Sequence, residues 1–277
     1  MKKISNQELK KLQKVELEMM TEFHRICKKH HLKYILAGGS CLGAVRHQGF
    51  IPWDDDIDVA MPREDYQKFL EIQEHELDST KYYFQSLETT DCYPFIYGKI
   101  RRKDSIYAES ISNIDKNMQG IWIDIFPCDH VPDNDVKMKF NFSIVVFLKI
   151  LIGNKNGNRS ISKSWIKSIV LKLIHLCSHI IPGQYAKKQL IKHMTKYNDQ
   201  DTERVICYGG RYLLKEIFLA KHLEKRVLHK FENQKFYIPK YYDEFLTNLY
   251  GDYMTPPPKE KRCPEHLISE IKFPKGY

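Results

Sequence analysis

Four aspartates, Asp54, Asp55, Asp56 and Asp58, crowd into five positions of the segment GFIPWDDDIDVAMP, among Phe50, Ile51, Trp53, Ile57, Val59 and Met61. In extended chain, side chains two apart share a face, so Asp54, Asp56 and Asp58 point together while Asp55 and Ile57 point the other way. Carboxylates that close repel by roughly 1 kcal/mol per pair in water and several-fold more in a partly buried cleft. A divalent cation removes the difficulty, and hard oxygen donors at this spacing suit Mg²⁺ or Mn²⁺. A solvated acidic loop is the competing reading, but the apolar interleaving makes the segment only half solvent-like. A calcium loop fails, because the positions that require Gly and Glu hold Val59 and Asp65.

Upstream, Gly38, Gly39 and Ser40 end a strand and open a helix, a place where backbone N–H groups and a hydroxyl meet phosphate oxygens. A Gly-Gly turn needs no ligand, so its weight comes from distance: one helix and a return lead from it to the aspartates. Strand, GGS turn and helix followed by a strand with DxD is the arrangement of the nucleotidyltransferase fold, which calls for a third carboxylate on a nearby strand. GIWIDIFP supplies Asp124, alone among Ile121, Trp122, Ile123, Ile125 and Phe126. Buried carboxylates are paired or ligate metals; the competing duty is capping a turn before Pro127.

These residues need elements to hold them. Ser5 and Glu8 form a capping box before Leu9, Leu12, Val15, Met19, Phe23 and Ile26, which recur at helical spacing to about residue 30. Strands are predicted at Tyr34–Ala37 and Ile57–Met61, with helices at Ser40–Arg46 and, opened by Pro62, at Arg63–Leu70. KYYFQSL, YPFIYGKIRRKDSIYAE and GIWIDIFPCD read as further strands. The expected layout is an α/β, nucleotidyltransferase-like mixed sheet core over 32–130. An N-terminal helix precedes it over 1–31, a helical insert follows over 131–205, and a strand-helix segment over 206–277 completes the site.

The chain has 277 residues, 42% hydrophobic, enough for a sizeable core. The N-terminus is basic but has no signal-peptide run, so a cytoplasmic location is expected. A net charge of +9 implies an anionic partner, whether nucleotide, nucleic acid or acidic membrane face. Seven scattered cysteines without a CxxC pair read as reduced core thiols. His175 and His179 are four apart, but Leu176 stands where a metalloprotease helix needs Glu.

The stretch AGGSCLGAVRHQGFIPWDDDIDVAMPREDYQKF resembles the LicD family of phosphocholine transferases, which share this motif with fukutin-type enzymes. The similarity continues through YGKIRRKDSIY, GIWIDIFPCD, FENQKFYIPKYYDEFLTNLYGDYMTPPP and Arg262, whereas 139–181 matches poorly. It implies transfer of phosphocholine from CDP-choline to a sugar hydroxyl of a lipid-linked glycan such as a teichoic acid precursor, with no nucleic-acid partner. Asp56, Asp58 and Asp124 would be catalytic carboxylates and metal ligands, Asp54 an auxiliary, and Asp124 also a candidate base. Gly39, Ser40, Arg46, Lys99 and Arg101 are the candidates for nucleotide and phosphate binding, with His47 and Arg102 beside them. Trp53, Trp122, Tyr250 and Tyr253 are candidates for a cage around the quaternary ammonium, though core packing competes for each.

Two other classes compete: a DxD glycosyltransferase using a UDP-sugar, which predicts a Rossmann-like start, and a non-catalytic binder of nucleotide or anionic lipid. In the insert, Trp165, Ile166, Ile169, Val170, Leu173, Ile174 and Leu176 form an apolar stripe apart from Lys163, Lys167 and Lys172. That pattern suits peripheral contact with the inner face of the plasma membrane through 139–181, or packing against the core or a second subunit.

Overall fold

Helix α1 (Asn6–Lys29) begins at the expected capping box: Ser5 Oγ accepts from the Glu8 N–H and the Glu8 carboxylate accepts from the Ser5 N–H. Its buried face, Leu9, Leu12, Val15, Met19, Phe23 and Ile26, lies on the central sheet and also carries a carboxylate, Glu16. The computed structural model describes residues 4–109, 119–157 and 164–277.

After α1 come β1 (Ile35–Leu36), α2 (Gly38–His47), β2 (Asp58–Pro62), α3 (Arg63–Glu76), β3 (Tyr82–Gln85), β4 (Gly98–Arg102), β5 (Ile106–Glu109) and β6 (Trp122–Val131). Three helices follow, α4 (Asp135–Lys155), α5 (Trp165–Ile180) and α6 (Gly183–Met194), and then β7 (Arg204–Ile206), β8 (Ile217–Leu219) and the short α7 (Lys221–Glu224). The chain ends with the hairpin β9 (Arg226–Phe231) and β10 (Gln234–Pro239), α8 (Tyr242–Tyr250) and β11 (Ile268–Lys272).

The sheet runs β1-β2-β6-β4-β3, and β7 joins β6 and β8 beside it. Among the described residues only β2 and β6 pair in parallel; β1–β2, β6–β4 and β4–β3 are antiparallel. The molecule is thus a mixed α/β fold with a curled sheet, consistent with a nucleotidyltransferase-like architecture. The parallel pair is the part that matters chemically, because its register sets Asp58 directly opposite Asp124.

The main core fills both the sheet interior and its contact with α1, whereas a second apolar cluster gathers α4 and α6 against Leu87, Tyr93 and Ile96. Ile174 of α5 joins this second cluster.

The expectation of seven reduced thiols fails for one pair. Cys128 and Cys207 are joined as a disulfide, with Cα atoms 4.6 Å apart. The antiparallel register of β6 and β7 sets Asp129 opposite Ile206, which brings these two cysteines face to face across 79 residues. Pairing of that range leaves no trace in sequence spacing.

Candidate active site

The alternation predicted for the aspartates holds, but not because all of them lie in a strand. Residues 53–57 are a loop, pinned by Gln13 of α1, whose amide donates to the Asp54 carbonyl at 2.9 Å, and β2 starts only at Asp58. Asp55 and Ile57 turn inward while Asp54, Asp56 and Asp58 remain half-buried. These three and Asp124 line one cavity of about 420 Å³.

Asp55 has a different duty. Its carboxylate accepts from the Tyr107 hydroxyl at 2.8 Å and from the Glu265 and His266 N–H groups at 3.1 Å each, fastening the C-terminal segment against the loop. Oxygens of Asp54, Asp55 and Asp56 do approach within 4.8 Å of one another. With Asp55 committed to those donors, however, the aspartates that line the cavity are Asp54, Asp56, Asp58 and Asp124.

Gly38 and Gly39 back this set so closely that side chains have no room. A Cβ on Gly39 would come within 2.8 Å of an Asp54 carboxylate oxygen, and one on Gly38 within 3.0 Å of Asp58. Gly38 also has φ +48°, the left-handed region that glycine enters freely. Ser40 is placed differently from its sequence assignment: it is buried, and its Oγ accepts the Asp58 N–H at 2.9 Å. It sets the start of β2 rather than lining the cavity.

The basic candidates separate in the same way. Lys99 is buried and holds Asp124 through a 2.6 Å ion pair, with its Nζ 4.2 Å from the centre of the Trp122 ring. Arg101 lies on the same strand face, as predicted, but it too is buried, donating to the Gln85 side chain and to the Gly120 carbonyl. Arg46 donates to the Tyr253 carbonyl at 2.7 Å, tying α2 to the C-terminal segment. None of the three lines the cavity.

The cavity's basic groups come from positions the sequence did not single out. Lys149, from α4, donates to the Tyr208 and Gly209 carbonyls, and burial pulls its pKa down to about 8 against the opposing field of Glu216. Arg211 pairs with Glu265 at the rim. His266 stands 3.3 Å from Asp55 and 3.9 Å from Asp56. Burial disfavours its charge, but Asp55 and Asp56 outweigh that and hold its pKa at about 9.

Of the four aromatic candidates, Tyr250 alone reaches the cavity, where Tyr97, Phe126 and Tyr212 accompany it. Trp122 is buried against Lys99, Arg101 and Tyr107, and Tyr253 donates to Asp243. Trp53 lies under Arg262 in a separate open groove along α1 that contains none of the four carboxylates.

Charge in the cavity is unbalanced. Burial, then repulsion from Asp56 and Asp124, raises the Asp58 pKa well above the carboxylate range, and Asp54 is raised by burial and by Asp56. Asp56 rises to about 6, mainly through burial, despite the opposing His266. Burial also raises Asp124, with Lys99 pulling against it. Four aspartates lining one cavity with too little protein cation to neutralise them supply hard oxygen donors of the kind that suit Mg²⁺ or Mn²⁺.

The LicD/FKTN/FKRP nucleotidyltransferase domain matches residues 31–146, which carry the GGS turn, the four cavity aspartates and Lys149's helix as far as residue 146. The lipopolysaccharide cholinephosphotransferase LicD of Haemophilus influenzae is 33% identical over 276 residues, covering 96% of this chain and 98% of its own. Shorter matches, 44% identical over 55 residues and 46% over 48, occur in uncharacterized proteins of Rickettsia typhi and Rickettsia prowazekii, covering 18% of each. With a relative of that identity matched end to end and the family's domain laid over the carboxylate cavity, this chain belongs to the LicD family.

Proposed function

We propose that this chain transfers phosphocholine from CDP-choline to a hydroxyl of a lipid-linked glycan, a teichoic acid precursor or a similar cell-surface polymer, with Mg²⁺ or Mn²⁺ as cofactor. The full-length similarity to a lipopolysaccharide cholinephosphotransferase supports the transferred group. The observation that carries the chemistry is the joint presence of four aspartates and four aromatic rings in one cavity.

In this reading Asp56, Asp58 and Asp124 would hold the cation, which would supply charge neutralisation for the diphosphate and Lewis acidity toward the acceptor hydroxyl. Lys149, Arg211 and cationic His266 offset the remaining phosphate charge. Tyr97, Phe126, Tyr212 and Tyr250 offer ring faces to the quaternary ammonium, which has no N–H to donate. The acceptor oxygen forms its bond to the choline-bearing phosphorus as the bond to the bridging oxygen breaks, releasing CMP. Asp124, already bound by Lys99, is poorly placed to be the base; Asp54, whose pKa is raised by burial and by Asp56, takes the acceptor proton.

The test is incubation with a panel of CDP-alcohols and UDP-sugars, a glycan acceptor and Mg²⁺, with the nucleotide product identified. CMP from CDP-choline, and its loss with chelator, is the expected result. UDP release would make the chain a sugar transferase, and no nucleotide product would make it a binder.

A further inference from the structure

Helix α5 turns most of its apolar surface to solvent. Trp165, Ile169, Leu173, Leu176 and Ile180 follow one another at helical spacing down a single side, joined by Ile166 and Val170. Trp165 is 73% exposed and Ile180 74%, against 8% for Ile174. The predicted stripe is therefore corrected at one position: Ile174 faces inward with Ser178 and anchors the helix, leaving the other side uncovered. Lys167 and Lys172 are exposed beside it, and Lys163 lies outside the described residues.

The charge around this helix is one-sided. From Val136 to Asn198 there are eleven lysines and one arginine, and neither Asp nor Glu. The whole chain has 44 basic and 35 acidic residues, so without those twelve the remainder is slightly acidic. The net positive charge of the protein thus resides in the segment that also holds the exposed apolar stripe of α5.

We propose that α5 lies flat on an anionic lipid surface, its apolar stripe among the acyl chains and its lysines at the headgroups. Its 16 residues span about 24 Å, short of the roughly 30 Å hydrocarbon core, and α6 leaves it at 118°, so the geometry favours lying on the surface over crossing it. A second copy is a poorer occupant, because a two-fold contact through this face would set one basic segment against another. The contact deepens the proposed function, in which the acceptor is itself anchored in lipid.

Sedimentation with vesicles tests this without any substrate, so its result is independent of the transferase reading. The wild-type chain is expected to sediment with phosphatidylcholine vesicles containing about one third phosphatidylglycerol, and at least tenfold less with phosphatidylcholine alone. Ile169→Glu with Leu173→Glu, and separately Lys167→Glu with Lys172→Glu, should each lower binding to the anionic vesicles about tenfold or more. A blue shift of tryptophan emission on binding should disappear in Trp165→Phe. Failure of the wild type to bind anionic vesicles, or unchanged binding in Ile169→Glu with Leu173→Glu, overturns the proposal. So does a wild-type dimer in sedimentation velocity that this double variant converts to monomer.

Discussion

Asp58 and Asp124 are direct cross-strand neighbours in the parallel pairing of β2 with β6, and Lys99 of β4 stands opposite Asp124 on the other side. One carboxylate therefore has a buried cation at 2.6 Å, while the other relies on the cavity for compensation. The two should respond differently to the same change.

Asp58→Asn and Asp124→Asn are both expected to lower turnover by at least about a hundredfold if they hold a cation. In the metal-free protein, Asp58→Asn should leave thermal stability unchanged or raise it, because repulsion is relieved. Asp124→Asn should cost about 3 kcal/mol, since Lys99 is left buried without its counter-ion. Equal melting temperatures for the two variants would contradict this division.

Stability of the metal-free protein should fall as pH rises. The folded-state pKa of Asp56 is raised to about 6, and those of Asp54 and Asp58 are raised too, so the folded chain keeps protons that the unfolded chain has released. The stability these protons confer is complete below the ordinary carboxylate value near 4 and is lost as pH climbs through about 6. Melting curves with chelator from pH 4 to pH 7.5 should show this decline. It should be smaller in Asp56→Asn with Asp58→Asn, and Mg²⁺ should reverse it in the wild type.

Ser40→Ala removes the acceptor for the buried Asp58 N–H and should destabilise the chain by about 1–2 kcal/mol, measured by denaturant unfolding. Gly39→Ala should instead spare most stability and abolish turnover, because its Cβ displaces the Asp54 carboxylate. A stable Ser40→Ala with a weakened donor affinity would return Ser40 to phosphate binding.

Lys149→Met should raise the donor dissociation constant about tenfold in calorimetry, close to 1.4 kcal/mol, while keeping the fold. Lys149→Arg should recover part of that affinity. An unchanged donor affinity in Lys149→Met would remove α4 from the site.

Sequence alone determined the local parts of this protein. The capping box at Ser5 and Glu8, the helical spacing of α1 and the in-out alternation of Asp54 to Asp58 are consequences of backbone geometry over a few residues, and all are present. Sequence also marked Asp124, a lone carboxylate in an apolar strand, as a group that must be paired or ligate a metal. Tertiary structure decided what the neighbours of those residues would be. Lys99 and Arg101 share a face as their spacing requires, yet β4 runs inside the sheet, so that face is interior and their charges are used on Asp124, Gln85 and Gly120. Lys149, Arg211, Tyr212 and His266 reach the cavity from segments 25 to 142 residues beyond Asp124. Their approach depends on how α4, the turn after β7 and the Asp55-anchored tail cross the sheet. Such crossings are fixed by packing over the whole chain, and the spacing of residues within any one segment does not encode them.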